Sequence, residues 1–436
     1  MNNINFKLFA VIIFMMINIS CGKRDITGPD DNGISLFDLK VTSIGLIVIL
    51  SWDAIDNSGL TGYNIYRQLN DSDFEKYGTE TSDENSYSDQ MVTADENYGY
   101  YITAELAENK ESLPSDTVKI IPGLTTTWVL DNSTGILSEL THDVAHKTGK
   151  FFNNLPFVNA FDIDEKNGYI YLLNGSAKTL MLYVEGQILG PATLTDSDSV
   201  AILFDDPSDI DYDSFRDEMW LADGSSGNIY HYSQNDSGKW VLADSLYTGG
   251  SADEGQIDTN SGDYWVVNNA DNSVEIYRNL SPGYSRKSIE GFTSEGIILA
   301  LDENRARAYA IDIGMGTVSV ISSLGEETPL STPVINNIFA ATVDPESGDL
   351  WLLADDNEDR FYNLIKLSVI GLRIFDINTG MSKPTWMGVN PINMNVVVLN
   401  EAFEEAKVST YDKFGESIST FGSFSSPKMA RILKFD

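Results

Sequence analysis

Residues 342–355 read TVDPESGDLWLLAD. A short apolar lead ends at Asp344. Pro, Ser and Gly then make a turn, Trp351 opens a second apolar run, and that run stops at Asp355. Asp, Pro and Gly between two apolar runs are the marks of a strand, a tight turn and a returning strand. The second half of the unit recurs along the chain as WVLD at 128–131, YLLN at 171–174, WLAD at 220–223, WVVN at 265–268, YAID at 309–312 and VVLN at 397–400. Successive anchors (Trp128, Tyr171, Trp220, Trp265, Tyr309, Trp351, Val397) lie 43, 49, 45, 44, 42 and 46 residues apart. A second mark precedes six of them by seven residues: Asp164, Asp213, Asp258, Asp302, Asp344 and Asn390.

A repeat of about 45 residues is the length of one four-stranded blade. Seven such units predict an all-β fold, a seven-bladed β-propeller over residues 125–436. Trp128 has no Asp seven residues before it, and the chain finishes ARILKFD at 430–436. That last segment is expected to be the missing first strand, with Asp436 as the seventh turn residue. It would pair with the strand opened by Trp128 and close the ring, which removes an exposed sheet edge. The pattern resembles the propellers of the NHL and YncE-like groups, and it lacks the Gly-His and Trp-Asp marks of WD40 blades.

Residues 34–122 carry short strands without helical period. LIVILSW at 46–52, GYNIYR at 62–67 and YGYYITA at 98–104 follow one another in order. Together they resemble a fibronectin type III β-sandwich. The resemblance makes Trp52 the core tryptophan and Tyr98 the tyrosine-corner residue, and it implies a spacer.

At the N-terminus, Lys7 precedes a ten-residue apolar run at 8–17, followed by NISCG at 18–22. The run is too short to span a bilayer and fits a signal-peptide core. A small residue before Cys21 resembles the lipobox of bacterial lipoproteins, although Asn18 stands where that family prefers Leu. The resemblance implies a signal peptide over 1–20 and lipidation, including a palmitate-type acyl chain, on Cys21. A polar tether would follow over 21–33. The protein is then expected on the cell envelope, lipid-anchored, at the outer membrane or cell surface, with the membrane as one partner. Cys21 is the one cysteine, so no intrachain disulfide can form.

Lys and Arg number 28 against 65 Asp and Glu, a net charge of −37. Such a surface repels phosphate backbones and argues against nucleic acid, while cationic ligands and divalent cations remain compatible with it. No nucleophile elbow, phosphate loop or dinucleotide fingerprint occurs.

Three sets of residues are candidates for function. The first is a polar position three residues after each anchor: Asp131, Asn174, Asp223, Asn268, Asp312, Asp355 beside Ala354, and Asn400. An inner strand that runs from top to bottom would place these on the top face, circling a pocket suited to hydroxyl-rich ligands or calcium. Turn chemistry alone is the plain alternative. The second set is Glu254 and Glu295, each followed by Gly at the entry to an inner strand, which a lactonase-like propeller would place at the channel mouth. The third is the acidic run Asp205, Asp206, Asp209, Asp211 and Asp213, read either as a solvated edge or as a calcium site; the lactonase-type set of a Glu with Asn and Asp from other blades cannot be assembled residue by residue.

With no catalytic motif, the leading expectation is a non-enzymatic binding or scaffold protein that presents a propeller face to a glycan, peptide or envelope protein. The alternative is a metal-dependent, calcium-using hydrolase or lyase of the lactonase-like propeller type. A purely structural part of a surface complex is a third reading.

Overall fold

The computed structural model describes residues 24–25, 38–56, 59–155, 157–164, 169–174, 177–184, 187–191, 204–236, 238–280, 283–356, 360–402, 406–422 and 424–434. The expectations for the signal segment, Cys21, most of the tether and Asp436 lie outside these residues. Among the described residues the regular structure is strand apart from two short 3-10 turns, Ala107–Asn109 and Glu303–Arg305. Among the described residues no helix is long and apolar enough to cross a membrane.

The chain divides into two compact units. In the first, Leu60–Leu69 lies between Glu75–Thr81 and Tyr98–Leu106, and Val118–Ile120 pairs on the far side of Tyr98–Leu106. Trp52 is buried and packs on Tyr63, ring centroids 5.1 Å apart. Tyr98 is buried as well.

The second unit contains seven four-stranded antiparallel sheets. Their inner strands are Pro427–Lys434, Val158–Asp164, Pro207–Asp213, Glu254–Asp258, Ile297–Asp302, Ile338–Val343 and Pro384–Val389, which are numbered here as the inner strands of sheets one to seven. Sheet one is assembled from both ends of the unit. Pro427–Lys434 pairs antiparallel with Thr125–Asp131, with Trp128 opposite Arg431. The expected strand exchange is therefore present, over a span that starts three residues earlier than the sequence suggested.

Every anchor sits on the second strand of its sheet and is buried. Side chains alternate across a strand, so each second strand serves two cores. Trp128 and Leu130 pack against Phe161 and Leu172 of sheet two, whereas Val129 packs against Val397 and Leu399 of sheet seven. The same division repeats at each junction, giving seven separate apolar cores between cyclically successive sheets. Trp220 shows the packing: its ring stacks on Tyr264 at 4.7 Å and on His231 at 4.3 Å. A fully buried aromatic of this size contributes several kcal/mol, about 3–5 on truncation to alanine. The arrangement is an all-β, propeller-like fold.

The turn residues have the structural role that the sequence implied. Asp213 Oδ1 accepts the N–H groups of Phe215 and Arg216, Asp258 Oδ1 those of Asn260 and Ser261, and Asp344 Oδ1 those of Glu346 and Ser347. Asn390 does the same for Ile392 and Asn393. Asp302 differs. Its carboxylate pairs with Arg305 and Arg307, at 3.1 and 2.9 Å.

Candidate functional site

The seven inner strands are not joined by backbone ladders, so their polar groups need side-chain partners. Asn159 donates to the carbonyl of Pro207 at 2.6 Å, and Ser208 to that of Ala252 at 2.7 Å. Gln256 bridges to sheet five through Leu299 O and Leu301 N, both at 3.0 Å. Thr385 donates to Pro427 O at 2.6 Å. This girdle encloses a cavity of about 1230 Å³ lined by residues from all seven sheets.

Its walls differ by sector. Sheets three and four present Asp209, Asp211, Asp253 and Glu254. Sheets five and six are mostly apolar there, with Ile298, Phe339, Ala340 and Ala341. Sheet seven contributes Trp386 and Met387, and the final strand contributes Lys428, Met429 and Arg431. Phe157 and Phe339 are exposed at the cavity.

Arg431 is the centre of charge. Its Nε lies 3.3 Å from Asp162 Oδ1, and a terminal nitrogen lies 3.8 Å from Asp209 Oδ1. Burial opposes the guanidinium charge, but Asp162, Asp209 and Asp211 outweigh it and hold the group firmly protonated. Two of these acids also belong to the girdle. Asp162 Oδ2 accepts the N–H of Tyr212 at 2.7 Å, and Asp209 Oδ2 accepts that of Gly255 at 3.2 Å. They repeat one device on successive sheets.

Asp211 and Glu254 are free of that duty. Asp211 Oδ2 is buried without a hydrogen-bond partner, and Glu254 has a single long contact, 3.5 Å from the Gln256 amide. Burial and the neighbouring Asp209 push both pKa values up, Asp211 well above the carboxylate range and Glu254 to about 7. Glu254 thus holds or gives up its proton near neutrality, the condition for general acid–base work. Gly255 is required beside it: a Cβ there would fall 1.7 Å from the Tyr264 hydroxyl oxygen.

The sequence-derived candidates fall into three places. Five of the Asp/Asn positions after the anchors tie their sheet's second strand to the segment entering its inner strand. Asp223 accepts N–H bonds from Asp205 and Asp206, at 2.8 and 2.6 Å. Asp131 accepts from Ser425 and Ser426, Asn268 from Ser251, Asp312 from Thr293 and Asn400 from Lys383. Asn174 accepts from Ala177 within its own turn. Six of the seven are buried, Asp355 is half-buried, and none lines the cavity. Of the paired glutamates, Glu254 is in the cavity and Glu295 is exposed away from it. The acidic run divides: Asp205 and Asp206 are exposed, Asp209 and Asp211 face the cavity, and Asp213 is a buried turn residue. The solvated-edge reading does not describe Asp209 and Asp211, because Pro207–Asp213 is the innermost strand of its sheet and both residues line the cavity.

The cavity acids converge on a guanidinium, and among the described residues no group of three or more His, Cys, Asp or Glu is arranged to hold a metal ion. Sequence reasoning missed Asp162 and Arg431. The available signal was a charged residue on a strand predicted to face the axis.

No protein-family profile matches the sequence, and no curated protein sequence matches it. Solved structures do match in fold. A periplasmic gluconolactonase from Pseudomonas aeruginosa superposes with a TM-score of 0.55 at 12% identity, covering 72% of this chain and 100% of its own. A Bacteroides uniformis protein with a proposed 6-phosphogluconolactonase activity gives 0.55 at 11% identity, covering 71% and 99%. A Lactobacillus plantarum protein gives 0.55 at 13%, with 71% and 99% covered. The expectation of a non-enzymatic binding or scaffold protein is corrected here. Solved structures of this fold bear gluconolactonase names, which point away from a binding scaffold.

Proposed function

We propose that the protein is a propeller hydrolase or lyase that acts on an ester or lactone in the central cavity. The observation that carries this reading is Glu254, a cavity carboxyl poised at about 7 within a cluster that also holds a fixed guanidinium. In hydrolysis Glu254 takes a proton from a water adding to the carbonyl carbon. It returns that proton to the alkoxide oxygen as the acyl C–O bond breaks. The N–H donors of Arg431 that Asp162 and Asp209 do not hold would serve the carbonyl oxygen, where a preorganised donor is worth about 10²–10³ in rate. In the elimination variant Glu254 removes the proton α to the carbonyl, and the leaving carboxylate or alkoxide departs with the C–O electrons.

A panel of sugar and hydroxy-acid lactones and esters, assayed with wild type and Glu254→Gln, tests this. Incorporation of water oxygen into the product marks hydrolysis, and a new conjugated absorbance marks elimination. Turnover lost in Glu254→Gln supports the reading, and no turnover of any member removes it.

The wider organisation is proposed on the same terms. The seven sheets, their cyclic cores and the shared first sheet support a seven-bladed propeller closed by the final strand. The strand order and buried Trp52 support a fibronectin type III-like sandwich before it. The lipobox-like segment at Cys21 supports an acylated, envelope-held protein with the catalytic unit displayed outward. Mass spectrometry of the mature N-terminus tests the anchor: diacylglycerol on Cys21 is expected, and an unmodified cysteine or another cleavage site overturns it.

A further inference from the structure

Building on the hydrolase or lyase reading, we infer that the substrate carries a protonated amine: the cavity is shaped for a cationic ester or lactone, and not for one bearing phosphate or carboxylate. The inference starts from where charge is already spent. Arg431 is shared between Asp162 and Asp209. Lys383 is tied to Glu401 at 2.9 Å. Lys428, out at the mouth, lies over the Phe157 ring at 5.3 Å. The deep acidic sector of sheets three and four therefore outnumbers the one guanidinium it surrounds, and an anionic group entering there would meet net repulsion.

A second observation does not depend on counting charges. Two buried oxygens at this wall lack partners, Asp211 Oδ2 and the Tyr264 hydroxyl. Tyr264 is wholly buried, and its oxygen is pressed against Gly255, itself part of the cavity wall. Unpaired buried polar atoms are costly, about 1–3 kcal/mol each, and call for an explanation. An ammonium group, with three N–H donors and no acceptor, is the complement of an unpaired carboxylate oxygen. A third feature points the same way. Trp386 and Phe339 are among the residues lining the cavity, and aromatic side chains attract cations and tolerate an organic amine. The net charge of −37 would draw such a ligand inward.

Calorimetric binding of three matched δ-lactams, one neutral, one with an aminomethyl group and one with a carboxylate, tests the inference without requiring turnover. The amine is expected to bind about tenfold more tightly than the neutral compound, and the carboxylate more weakly than either. Raising the salt from about 50 to about 500 mM should shrink the preference. Asp211→Asn should bring amine and neutral within about threefold of each other, because an incoming ammonium can draw Asp211 into its charged form and an amide cannot follow. Should that variant fail to fold, the salt series on the intact protein still decides. Equal or tighter binding of the carboxylate overturns the inference, as does an amine preference unmoved by both salt and Asp211→Asn. Turnover of lactones without any amine preference would leave the enzyme reading standing and remove this one. Amine-selective binding with no turnover would do the reverse.

Discussion

Arg431 Nε stands 3.3 Å from Asp162 Oδ1, joining the final strand of the chain to the inner strand of sheet two. The contact links pairing of the final strand to the electrostatics of the cavity, because the strand that completes sheet one also delivers the cavity's guanidinium. Arg431→Gln should therefore lower kcat/KM on any substrate of the lactone panel by about 10²–10³, with partial recovery in Arg431→Lys. It should also destabilise the fold above the carboxylate range, where Asp162, Asp209 and Asp211 lose their counter-charge, and the loss should fade as acid protonates them. Melting curves across pH check this. Wild-type activity in Arg431→Gln would contradict it.

Truncation after Ser426 removes the strand that pairs with Thr125–Asp131. The exposed edge would be long and apolar on both faces, since Leu130 loses neighbours in one core and Val129 in another. The truncated chain is expected to lose cooperative melting or to aggregate, by scanning calorimetry and light scattering. An unchanged Tm would refute closure by the C-terminal strand.

Asp223 separates two readings of the Asp/Asn ring. If it serves as a staple for Asp205 N and Asp206 N, Asp223→Ala leaves two donors without partners and costs about 1–3 kcal/mol. The denaturation midpoint should fall while KM stays within about twofold, since the side chain is outside the cavity. A large rise in KM at unchanged stability would restore these residues as ligand contacts.

The cavity acids also give the fold a pH dependence of known sign. Glu254 has a folded pKa above its ordinary value, because burial and Asp209 disfavour its charge. Between about 4.5 and about 7 the folded state therefore holds a proton that the unfolded chain has released, and stability falls as pH rises through that window. Asp162, Asp209 and Asp211 shift in the same direction. Asp131, Asp312 and Asp344, held below their ordinary values against burial by hydrogen bonds, contribute stability that is lost only in stronger acid. Urea midpoints of wild type should decline from pH 5 to 8, and Glu254→Gln should flatten that decline. A wild-type midpoint that rises over the same range contradicts the assignment.

The sheets were legible in the sequence because their marks obey local rules. An aromatic or β-branched anchor must be buried on the second strand of each sheet, and a turn carboxylate must cap the hairpin before it. Both repeat at the period of the unit, so Trp220 and Asp213 announce themselves. The cavity was only partly legible. Glu254 was singled out for the Gly beside it, whose actual cause is the Tyr264 hydroxyl. Asp209 and Asp211 were visible as an acidic alternation, but alternation alone does not say whether a face meets solvent or an axis. Asp162 and Arg431 lie 269 residues apart and meet only because the ends of the unit share a sheet. Arg431 breaks the repeat instead of following it, so periodicity, the strongest signal in this chain, does not reveal the pair.

The central claim is that Glu254 handles the proton in the cavity. The most direct measurement is kcat/KM against pH for the best substrate of the lactone and ester panel, with wild type and Glu254→Gln side by side. Activity that rises through an inflection near 7 in wild type, with the rate and the inflection both lost in Glu254→Gln, is the expected result. A pH profile and rate unaltered by Glu254→Gln would contradict the account.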